Sequence, residues 1–278
     1  MNDGKKLLVF DLDGTLLTDA KDITPRTRET LKRAKNKGYA LCFASGRCEE
    51  MMSIYQDAVG GCDYCISCNG AKTMDLGHHT LIASKVFRDD DVNGVLEYVM
   101  SRRMDFMMYG VDRIYFPAYS EKMKEHVKKY ERLSEKWGFP VRLNAMGISS
   151  QELPVHLQNI LKIVVYMRNE EEQQAYVAFV KAQDNLIGES TGYGLLGTFE
   201  KSVSKKTAVE CLMAYMKITK EDVYVFGDYD NDLSMFSAAA NRIAVENAVA
   251  KIKEKATWIT ASNNEDGVAV YLENVLGI

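Results

Sequence analysis

The sequence predicts an α/β fold built on a parallel sheet, with a separate α+β module inserted into it. Short apolar runs that end in polar or glycine residues recur along the chain, and helical patterns lie between them. Near-continuous apolar strands that alternate with helices are typical of a parallel sheet covered on both faces. The middle of the chain changes to a hairpin pattern and charged helices, which predicts the inserted module.

The apolar runs predict four strands of the parallel sheet, at Leu7–Phe10, Tyr39–Phe43, Tyr64–Ile66 and Val223–Phe226. A helix is predicted over Pro25–Lys37, because Thr24 suits an N-cap, proline suits the first turn and Gly38 suits a stop. The carboxyl ends of parallel strands form the ligand crevice of such a sheet. The polar residues that follow the four strands are therefore expected to converge at one edge.

The inserted module is predicted to span residues 83–197, which leaves residues 1–82 and 198–278 to the parallel-sheet domain. Its helical patterns lie at Asp89–Arg103, Ser120–Trp137 and Glu170–Ala182. Its strand patterns lie at Met104–Tyr109, Arg113–Phe116, Leu161–Met167 and Gly188–Phe199. The mixture of a hairpin with helices is what indicates an α+β module rather than a continuation of the parallel sheet.

Composition excludes several classes of function. The 278 residues are 46% hydrophobic and 27% charged, and the formal net charge is −4. The chain has no overall basic field, so nucleic acid and anionic membranes are not expected as partners. The sequence has no apolar run of the length that a signal peptide or a membrane helix needs, and a cytoplasmic location is expected. The oligomeric state has no signal in the sequence.

Asp11 and Asp13 follow the first predicted strand. If the extended backbone continued, both side chains would share one face. Two carboxylates that close resist ionising together unless a cation joins them. Mg²⁺ prefers such oxygen ligands, although an acidic turn stabilised by Gly14 would explain the pair equally well.

A second acidic cluster follows the predicted strand Val223–Phe226. Asp228 and Asp232 are suited to bind or support a magnesium ion, while Asn231 beside them could also belong to an ordinary solvated loop. Two acid-rich loops at equivalent strand ends are an unlikely coincidence. Together they favour a metal site.

Two further segments could bind a phosphoryl group. Ser45, Gly46 and Arg47 supply a hydroxyl, a backbone N–H and a guanidinium at a strand-to-helix turn, although a serine cap would look the same. Lys205 begins a predicted helix, where a cation is unfavourable for the helix dipole. A solvated lysine is the simpler interpretation of Lys205 in isolation.

The spacing of Cys62, Cys65 and Cys68 could indicate a metal or iron–sulfur site. Residues three apart on a strand point to opposite faces and lie about 10 Å apart along it. Buried apolar thiols are therefore the preferred interpretation. His78 and His79 are read as a hairpin turn with Gly77, and His126 and His156 as surface residues.

The motifs, in order, resemble those of the haloacid dehalogenase superfamily. They are Asp-x-Asp-Gly-Thr-Leu at residues 11–16, Ser-Gly-Arg at 45–47, Lys205, and Gly-Asp-x-x-Asn-Asp at 227–232. Asn69-Gly70-Ala71, the position of the insertion and the segments Asn247-Ala248 and Asn264–Val268 resemble the Cof-type (type IIB) sugar-phosphatase branch. Lys206 and Glu246 stand where glycine is usual in the family, which puts the local loop shape in doubt.

The resemblance implies a fold, an activity and roles for particular residues. The fold would be a Rossmann-like core with an inserted α+β cap, and the activity would be hydrolysis of small phosphorylated metabolites with Mg²⁺ as cofactor. Asp11 would be the nucleophile that forms an aspartyl-phosphate, and Asp13 the general acid and base. The remaining implied roles are phosphoryl binding by Ser45 and Lys205, pocket lining by Gly46, Arg47, Asn69 and Asn231, and metal binding by Asp11, Asp13, Asp228 and Asp232.

Three other functions remain open at this point. A phosphomutase of the same fold would need a bisphosphate activator and would release little free phosphate. A non-catalytic binding module is disfavoured because all the acidic groups and Lys205 are present. A metal–thiolate protein would be revealed by metal analysis.

Overall fold

The structure is a computed structural model that describes residues 5–149, 157–190 and 194–278. The chain divides into two compact units, of which the first combines Met1–Ser84 with Ser204–Ile278 and the second is Lys85–Val203. No helix among the described residues is both long enough and apolar enough to cross a membrane.

The first unit begins with alternating strands and helices. Its elements up to the insertion are β1 (Leu7–Phe10), α1 (Pro25–Asn36), β2 (Ala40–Ala44), α2 (Ser53–Ala58), β3 (Tyr64–Ser67), β4 (Lys72–Asp75) and β5 (Thr80–Ser84). The prediction for α1 is confirmed, because the Thr24 side chain accepts a hydrogen bond from the backbone N–H of Thr27 at 3.2 Å. The helix stops just before Gly38, whose φ is +86°.

The second unit is a continuous segment of mixed strands and helices. Its elements are α3 (Asp89–Ser101), β6 (Asp105–Gly110), β7 (Ile114–Pro117), α4 (Glu121–Lys136), β8 (Ala145–Ile148), β9 (Ile160–Tyr166), α5 (Glu170–Lys181), β10 (Leu186–Ser190) and β11 (Leu195–Glu200). The six strands form one sheet in the order β10-β11-β9-β6-β7-β8. The predicted hairpin is present as β6 and β7, which pair antiparallel.

The chain then returns to the first unit. The elements after the insertion are α6 (Lys205–Met216), β12 (Val223–Gly227), α7 (Leu233–Phe236), β13 (Asn241–Ala244), α8 (Ala250–Lys255), β14 (Trp258–Ile259) and α9 (Gly267–Asn274). The sheet of the first unit has the strand order β14-β13-β12-β1-β2-β3-β4-β5. The pairs from β14 to β3 are parallel, as predicted, whereas β4 and β5 pair antiparallel at one edge.

The strand order places a crevice next to β1. From β1 the sheet grows through β2 and β3 on one side and through β12, β13 and β14 on the other. Ligands of open α/β sheets bind at such a switch in strand order, outside the carboxyl ends of the strands. Here the two strands at the switch are β1 and β12, which end just before Asp11 and Asp228.

The core of the first unit covers both faces of this sheet. All four residues of β1 are buried, since alternate side chains face helices on opposite sides. On one face Leu7 and Val9 belong to the same apolar cluster as Leu212 of α6. On the other, the rings of Phe10 and Phe226 lie 4.9 Å apart. Burial on both faces holds β1 in place, and this fixes the position of Asp11 at its carboxyl end.

The predicted boundaries of the insertion differ from those of the structure. β11 extends to Glu200 and pairs with β9 and β10, so the second unit continues past residue 197 to Val203. At the other end, β5 of the first unit extends to Ser84, past residue 82.

The hairpin turn predicted at Gly77, His78 and His79 is confirmed and joins β4 to β5, although the two strands themselves were not predicted. The reason is that β4 carries polar side chains at buried positions, which hides the strand pattern in the sequence. Each of two such side chains has a partner. Lys72 Nζ lies 2.8 Å from Glu49 Oε2, and Asp75 Oδ2 accepts a hydrogen bond from the Tyr215 hydroxyl at 3.0 Å.

Packing in the second unit agrees with the sequence pattern. The stripe Val92, Val95 and Val99 of α3 is buried in one apolar cluster. Met104 and Met108 lie in the same cluster, and Met107 is also buried, so the three methionines pack within this unit. His126 is exposed on α4, as predicted, and His156 lies outside the described residues.

Gly70 allows the turn after β3 to pass close to the start of α6. Its φ is +105°, and a Cβ at this position would lie 2.2 Å from the backbone carbonyl oxygen of Ser204. Ser204 caps α6 by accepting a hydrogen bond from the Thr207 N–H at 3.1 Å. A side chain at residue 70 would therefore push against the helix that begins with Lys205.

We expect Gly70→Ala to lower stability by about 2–3 kcal/mol or more, since it adds a backbone clash to the left-handed conformation. Gly38→Ala is the matched control, because Gly38 also has a positive φ but nothing lies within 4 Å of its Cβ position. That variant should lose only about 1 kcal/mol. Thermal unfolding would measure both, and equal losses would contradict the packing explanation.

Candidate active site

Asp11 lies at the carboxyl end of β1 and is held against β12. Its backbone N–H donates to the carbonyl of Phe226 at 3.0 Å, and the residue is only 5% exposed. Its Oδ1 lies 2.5 Å from the Nζ of Lys205, the first residue of α6. The lysine that the sequence alone could not distinguish from a solvated one is thus in contact with the predicted nucleophile.

The Lys205 ammonium lies between two carboxylates. It is 1% exposed and is also 2.6 Å from Oδ1 of Asp232, which is fully buried. Burial disfavours the ammonium, but the charges of Asp11 and Asp232 outweigh it and raise the pKa of Lys205 above its usual range. Lys205 therefore stays charged, and removing one partner of such a buried group costs about 3–5 kcal/mol.

The loop after β12 brings a second carboxylate pair to the same place. Oδ2 of Asp232 accepts backbone N–H bonds from Asp228 at 2.9 Å and from Tyr229 at 3.2 Å. Oδ1 of Asp228 accepts a hydrogen bond from the Thr15 hydroxyl at 2.7 Å. Carboxylate oxygens of Asp11, Asp228 and Asp232 all lie within 4.8 Å of one another.

The three carboxylates carry more negative charge than Lys205 balances. Burial, followed by the charge of Asp232, raises the pKa of Asp11 well above its usual range and that of Asp228 to about 7. Carboxylates destabilised in this way are relieved by a cation, and oxygen donors suit a hard ion such as Mg²⁺. The donor set therefore fits a divalent metal.

Gly14 gives independent support for a closely built acidic site. Its φ is +88°, and a Cβ there would lie 2.5 Å from Oδ2 of Asp228. The loop after β1 can approach this carboxylate only because residue 14 has no side chain. Asn247 holds the same loop by donating to the Gly14 carbonyl at 2.8 Å.

The extended backbone does not continue past Asp11, so the condition under which Asp11 and Asp13 were expected to share one face is not met. The chain turns after Asp11, and the N–H of Leu17 donates to the carbonyl of Leu12 at 2.8 Å. The carboxylate of Asp13 instead binds Arg47, at 2.8 Å from Nε and 2.7 Å from Nη2. Asp11 and Asp13 therefore contact different cations, Lys205 and Arg47 respectively.

The environment of Asp13 stabilises its charged form. Burial alone would raise its pKa, but the hydrogen bonds and charges of Arg47 and Lys21 hold the pKa well below the usual range. Lys21 Nζ lies 2.8 Å from Oδ1 of Asp13. The pKa values of the two carboxyl groups of the Asp-x-Asp motif are therefore shifted in opposite directions.

The loops after β2 and β3 are joined by backbone hydrogen bonds. The N–H of Asn69 donates to the Ser45 carbonyl at 3.0 Å, and that of Cys68 donates to the Arg47 carbonyl at 2.9 Å. Ser45 and Asn69 are 2% and 3% exposed, and the latter has a φ of +56°. Gly46 lies between Ser45 and Arg47 in this paired-loop segment.

Some predicted and some unpredicted residues complete this region. Asn231 is half-buried in the loop after β12, where its carbonyl accepts a hydrogen bond from the Ser234 hydroxyl at 3.3 Å. Thr15, Lys21 and Tyr55 were not selected from the sequence. Thr15 lies within the first motif and could have been found there, whereas Lys21 and Tyr55 have no local signal because their contacts come from folding.

The cysteines are buried, as predicted. Cys62, Cys65 and Cys68 are 7%, 0% and 0% exposed. Burial raises the pKa of the Cys62 thiol to about 12 and that of Cys65 well above its usual range. Thiols in this state are poor nucleophiles and poor metal ligands.

The similarity of the chain to known hydrolases and phosphatases agrees with the geometry of this site. The family model described as haloacid dehalogenase-like hydrolase matches residues 8–272. The chain is 29% identical over 287 residues to the 5-amino-6-(5-phospho-D-ribitylamino)uracil phosphatase YwtE of Bacillus subtilis, with 98% of each chain covered.

Solved structures match the whole fold. A haloacid dehalogenase-like hydrolase from Bacteroides thetaiotaomicron superposes with a TM-score of 0.84 at 24% identity, covering 98% of this chain and 99% of that one. The type IIB sugar phosphatase BT4131 gives a TM-score of 0.78 at 21% identity, covering 98% and 100%. These likenesses show the fold, including the inserted module.

We expect Mg²⁺ to bind more tightly as pH rises from 6 to 8, by roughly tenfold, because the cation must displace the proton of Asp228. The sign follows from a pKa raised to about 7, since the carboxyl is mostly protonated below that pH. Isothermal titration calorimetry in buffers of different ionisation enthalpy would detect the released proton.

Asp228→Asn should abolish this binding. Asp230→Asn is the matched control, since its side chain lies in the same loop but is 54% exposed, 3.8 Å from Lys251. Affinity independent of pH, or retained in Asp228→Asn, would contradict the assignment of Asp228.

Proposed function

Because the chain belongs to the haloacid dehalogenase-like hydrolases, we propose that it is a magnesium-dependent phosphatase of small phosphorylated metabolites, with Asp11 as nucleophile. The observation that carries the proposal is the contact between the Asp11 carboxylate and the buried Lys205 ammonium, beside Asp228 and Asp232. An anionic nucleophile that meets an anionic phosphoryl group needs such a fixed cation.

The reaction would proceed in two displacements. A carboxylate oxygen of Asp11 attacks phosphorus, and the bond from phosphorus to the leaving oxygen breaks, which gives an aspartyl-phosphate and an alcohol. The anionic phosphoryl group bound beside Asp13 favours the protonated form of its carboxyl, and Asp13 gives that proton to the leaving oxygen. Water then attacks phosphorus, Asp13 accepts the water proton, and Asp11 is released with inorganic phosphate.

The remaining groups would bind the phosphoryl oxygens. Lys205 is fixed beside Asp11, and the paired loops offer the Ser45 hydroxyl, the Gly46 N–H, the Arg47 guanidinium and Asn69. Asn231 would line the same pocket. Bound Mg²⁺, held by the carboxylates of Asp11 and Asp228 and the carbonyl of Asp13 with support from Asp232, would supply neutralisation of negative charge.

The substrate class follows from the relatives and is therefore also a proposal. YwtE is named for a phosphorylated ribityl compound, and BT4131 is described as a sugar phosphatase. We propose phosphorylated sugars or related polyols as substrates. The second unit, Lys85–Val203, would serve as the cap that selects among them. The cytoplasmic location expected from the sequence stays a prediction.

We expect Asp11→Asn to lower magnesium-dependent hydrolysis of p-nitrophenyl phosphate by about a thousandfold or more, since an amide is not a nucleophile here. Asp13→Asn should lower turnover of alkyl phosphates by about a hundredfold or more, because proton transfer is lost. Initial rates of phosphate release would measure both.

Asp184→Asn is the control, because Asp184 is exposed in the second unit and only its backbone carbonyl, 3.2 Å from Lys201 Nζ, makes a described contact. It should keep full activity. Near-normal rates in Asp11→Asn would remove the nucleophile assignment.

We expect a panel of phosphorylated metabolites to show higher kcat/KM for sugar and polyol phosphates than for nucleotides and phosphorylated amino acids. Phosphate release with Mg²⁺, and with excess chelator as the blank, would measure this. A preference for nucleotides would contradict the proposed substrate class but not the phosphatase.

A further inference from the structure

Asp13 belongs to a closed ring of four residues. Arg47 binds both carboxylate oxygens of Asp13, and Lys21 binds one of them. Nη1 of Arg47 also donates to the Tyr55 hydroxyl at 3.4 Å, and that hydroxyl donates to the Lys21 carbonyl at 3.4 Å. Tyr55 is fully buried and lies under the Arg47 guanidinium, 5.3 Å from ring centroid to Cζ. The two cations on Asp13 are thus linked through one rigid side chain.

Lys21 is presented to Asp13 by an unusual backbone. Its φ is +60°, in the left-handed region that favours glycine. A tight turn imposes this conformation, because the N–H of Thr18 donates to the Asp22 carbonyl at 2.9 Å and that of Lys21 to the Thr18 carbonyl at 2.8 Å. Glycine would be less strained at this position, so a lysine here lowers the conformational stability of the turn.

Stability does not explain why a lysine stands there. The side chains of Lys21 and Asp13 are 46% and 40% exposed, and an ion pair in this setting adds little to folding stability. The left-handed backbone of a non-glycine residue opposes whatever is gained. Folding stability therefore does not account for Lys21, whose ammonium contacts Asp13.

The contacts on Asp13 distinguish its two oxygens. Oδ1 accepts a hydrogen bond from Nη2 of Arg47 and lies 2.8 Å from Nζ of Lys21, whereas among the described contacts Oδ2 accepts only from Nε of Arg47. A carboxylate oxygen has two lone-pair sites, so the two cations next to Oδ1 leave little room for another group there, whereas Oδ2 keeps one site. Lys21 thereby determines which oxygen is available to exchange a proton.

We propose that Lys21 is a positioning residue that fixes the Asp13 carboxylate so that Oδ2 exchanges the proton of the reaction. The inference rests on the proposed function and adds a residue to it. In the first displacement the proton leaves Oδ2 for the oxygen whose bond to phosphorus breaks. In the second displacement Oδ2 accepts the proton of the water that attacks phosphorus.

The test compares two esters that differ in their need for a proton. Nitrophenolate leaves as an anion, whereas the alkoxide of glycerol phosphate must be protonated as it leaves. Because kcat/KM reports only steps up to phosphoryl-enzyme formation, Lys21→Gly should lower it about tenfold or more for glycerol phosphate and less than about threefold for p-nitrophenyl phosphate. Inhibition by inorganic phosphate should stay within about twofold, since phosphate binding is not the role assigned to Lys21.

Lys217→Gly is the matched control, since Lys217 ends α6 with a φ of +57° and is exposed. Both glycine variants relieve the same backbone conformation, so both should keep or raise the melting temperature, and only Lys21→Gly should lose activity. Lys21→Arg, which restores a cation, should recover most of the glycerol phosphate rate, and Lys21→Met should not.

Equal losses on the two esters, a loss of phosphate binding, or full activity in both Lys21→Gly and Lys21→Met would overturn the inference while leaving the phosphatase intact. A wild-type protein that hydrolyses neither ester with Mg²⁺ would instead overturn the proposed function, and the role of Lys21 with it.

Discussion

The candidate site depends on one buried cation held by two anions. Lys205 is the first residue of α6, and its ammonium joins Asp11 at the end of β1 to Asp232 in the loop after β12. Two strands and a helix thus meet through side chains that have almost no contact with solvent. In such an environment charges interact strongly, and an unpaired charge is costly. These three groups are held in place by the capped start of α6, by the close approach of the chain at Gly70 and by the buried strand β1.

The two aspartates of the first motif show how a single turn can separate chemical roles. Burial and the negative charge of Asp232 raise the pKa of Asp11. At Asp13 the hydrogen bonds and charges of Arg47 and Lys21 outweigh the effect of burial, and the pKa is lowered. Groups two residues apart are thereby placed in opposite electrostatic environments. The turn after Asp11, closed by Leu12 and Leu17, is what makes this division.

The sequence predicted the parts of the molecule that local physics determines. The apolar runs predicted β1, β2, β3 and β12, and Thr24 and Gly38 marked the ends of α1, because burial and capping leave a local pattern. β4 escaped prediction since its buried polar side chains are satisfied by partners far away in sequence. Lys21 and Tyr55 escaped for the same reason, and Lys205 was ambiguous until folding placed it beside Asp11.

The pairing of β1 with β12 has a consequence for how the chain folds. β1 precedes the second unit in the chain, but its neighbour β12 begins at Val223, after the whole second unit has been synthesised. The second unit is continuous in sequence, so it can fold as the ribosome delivers it, while the first unit must wait for its later half. Until then the apolar strand β1 has only one of its two neighbouring strands, β2. A nascent chain therefore carries an exposed edge of β1 until β12 has been made, and β2 cannot cover that edge because it pairs with the opposite one.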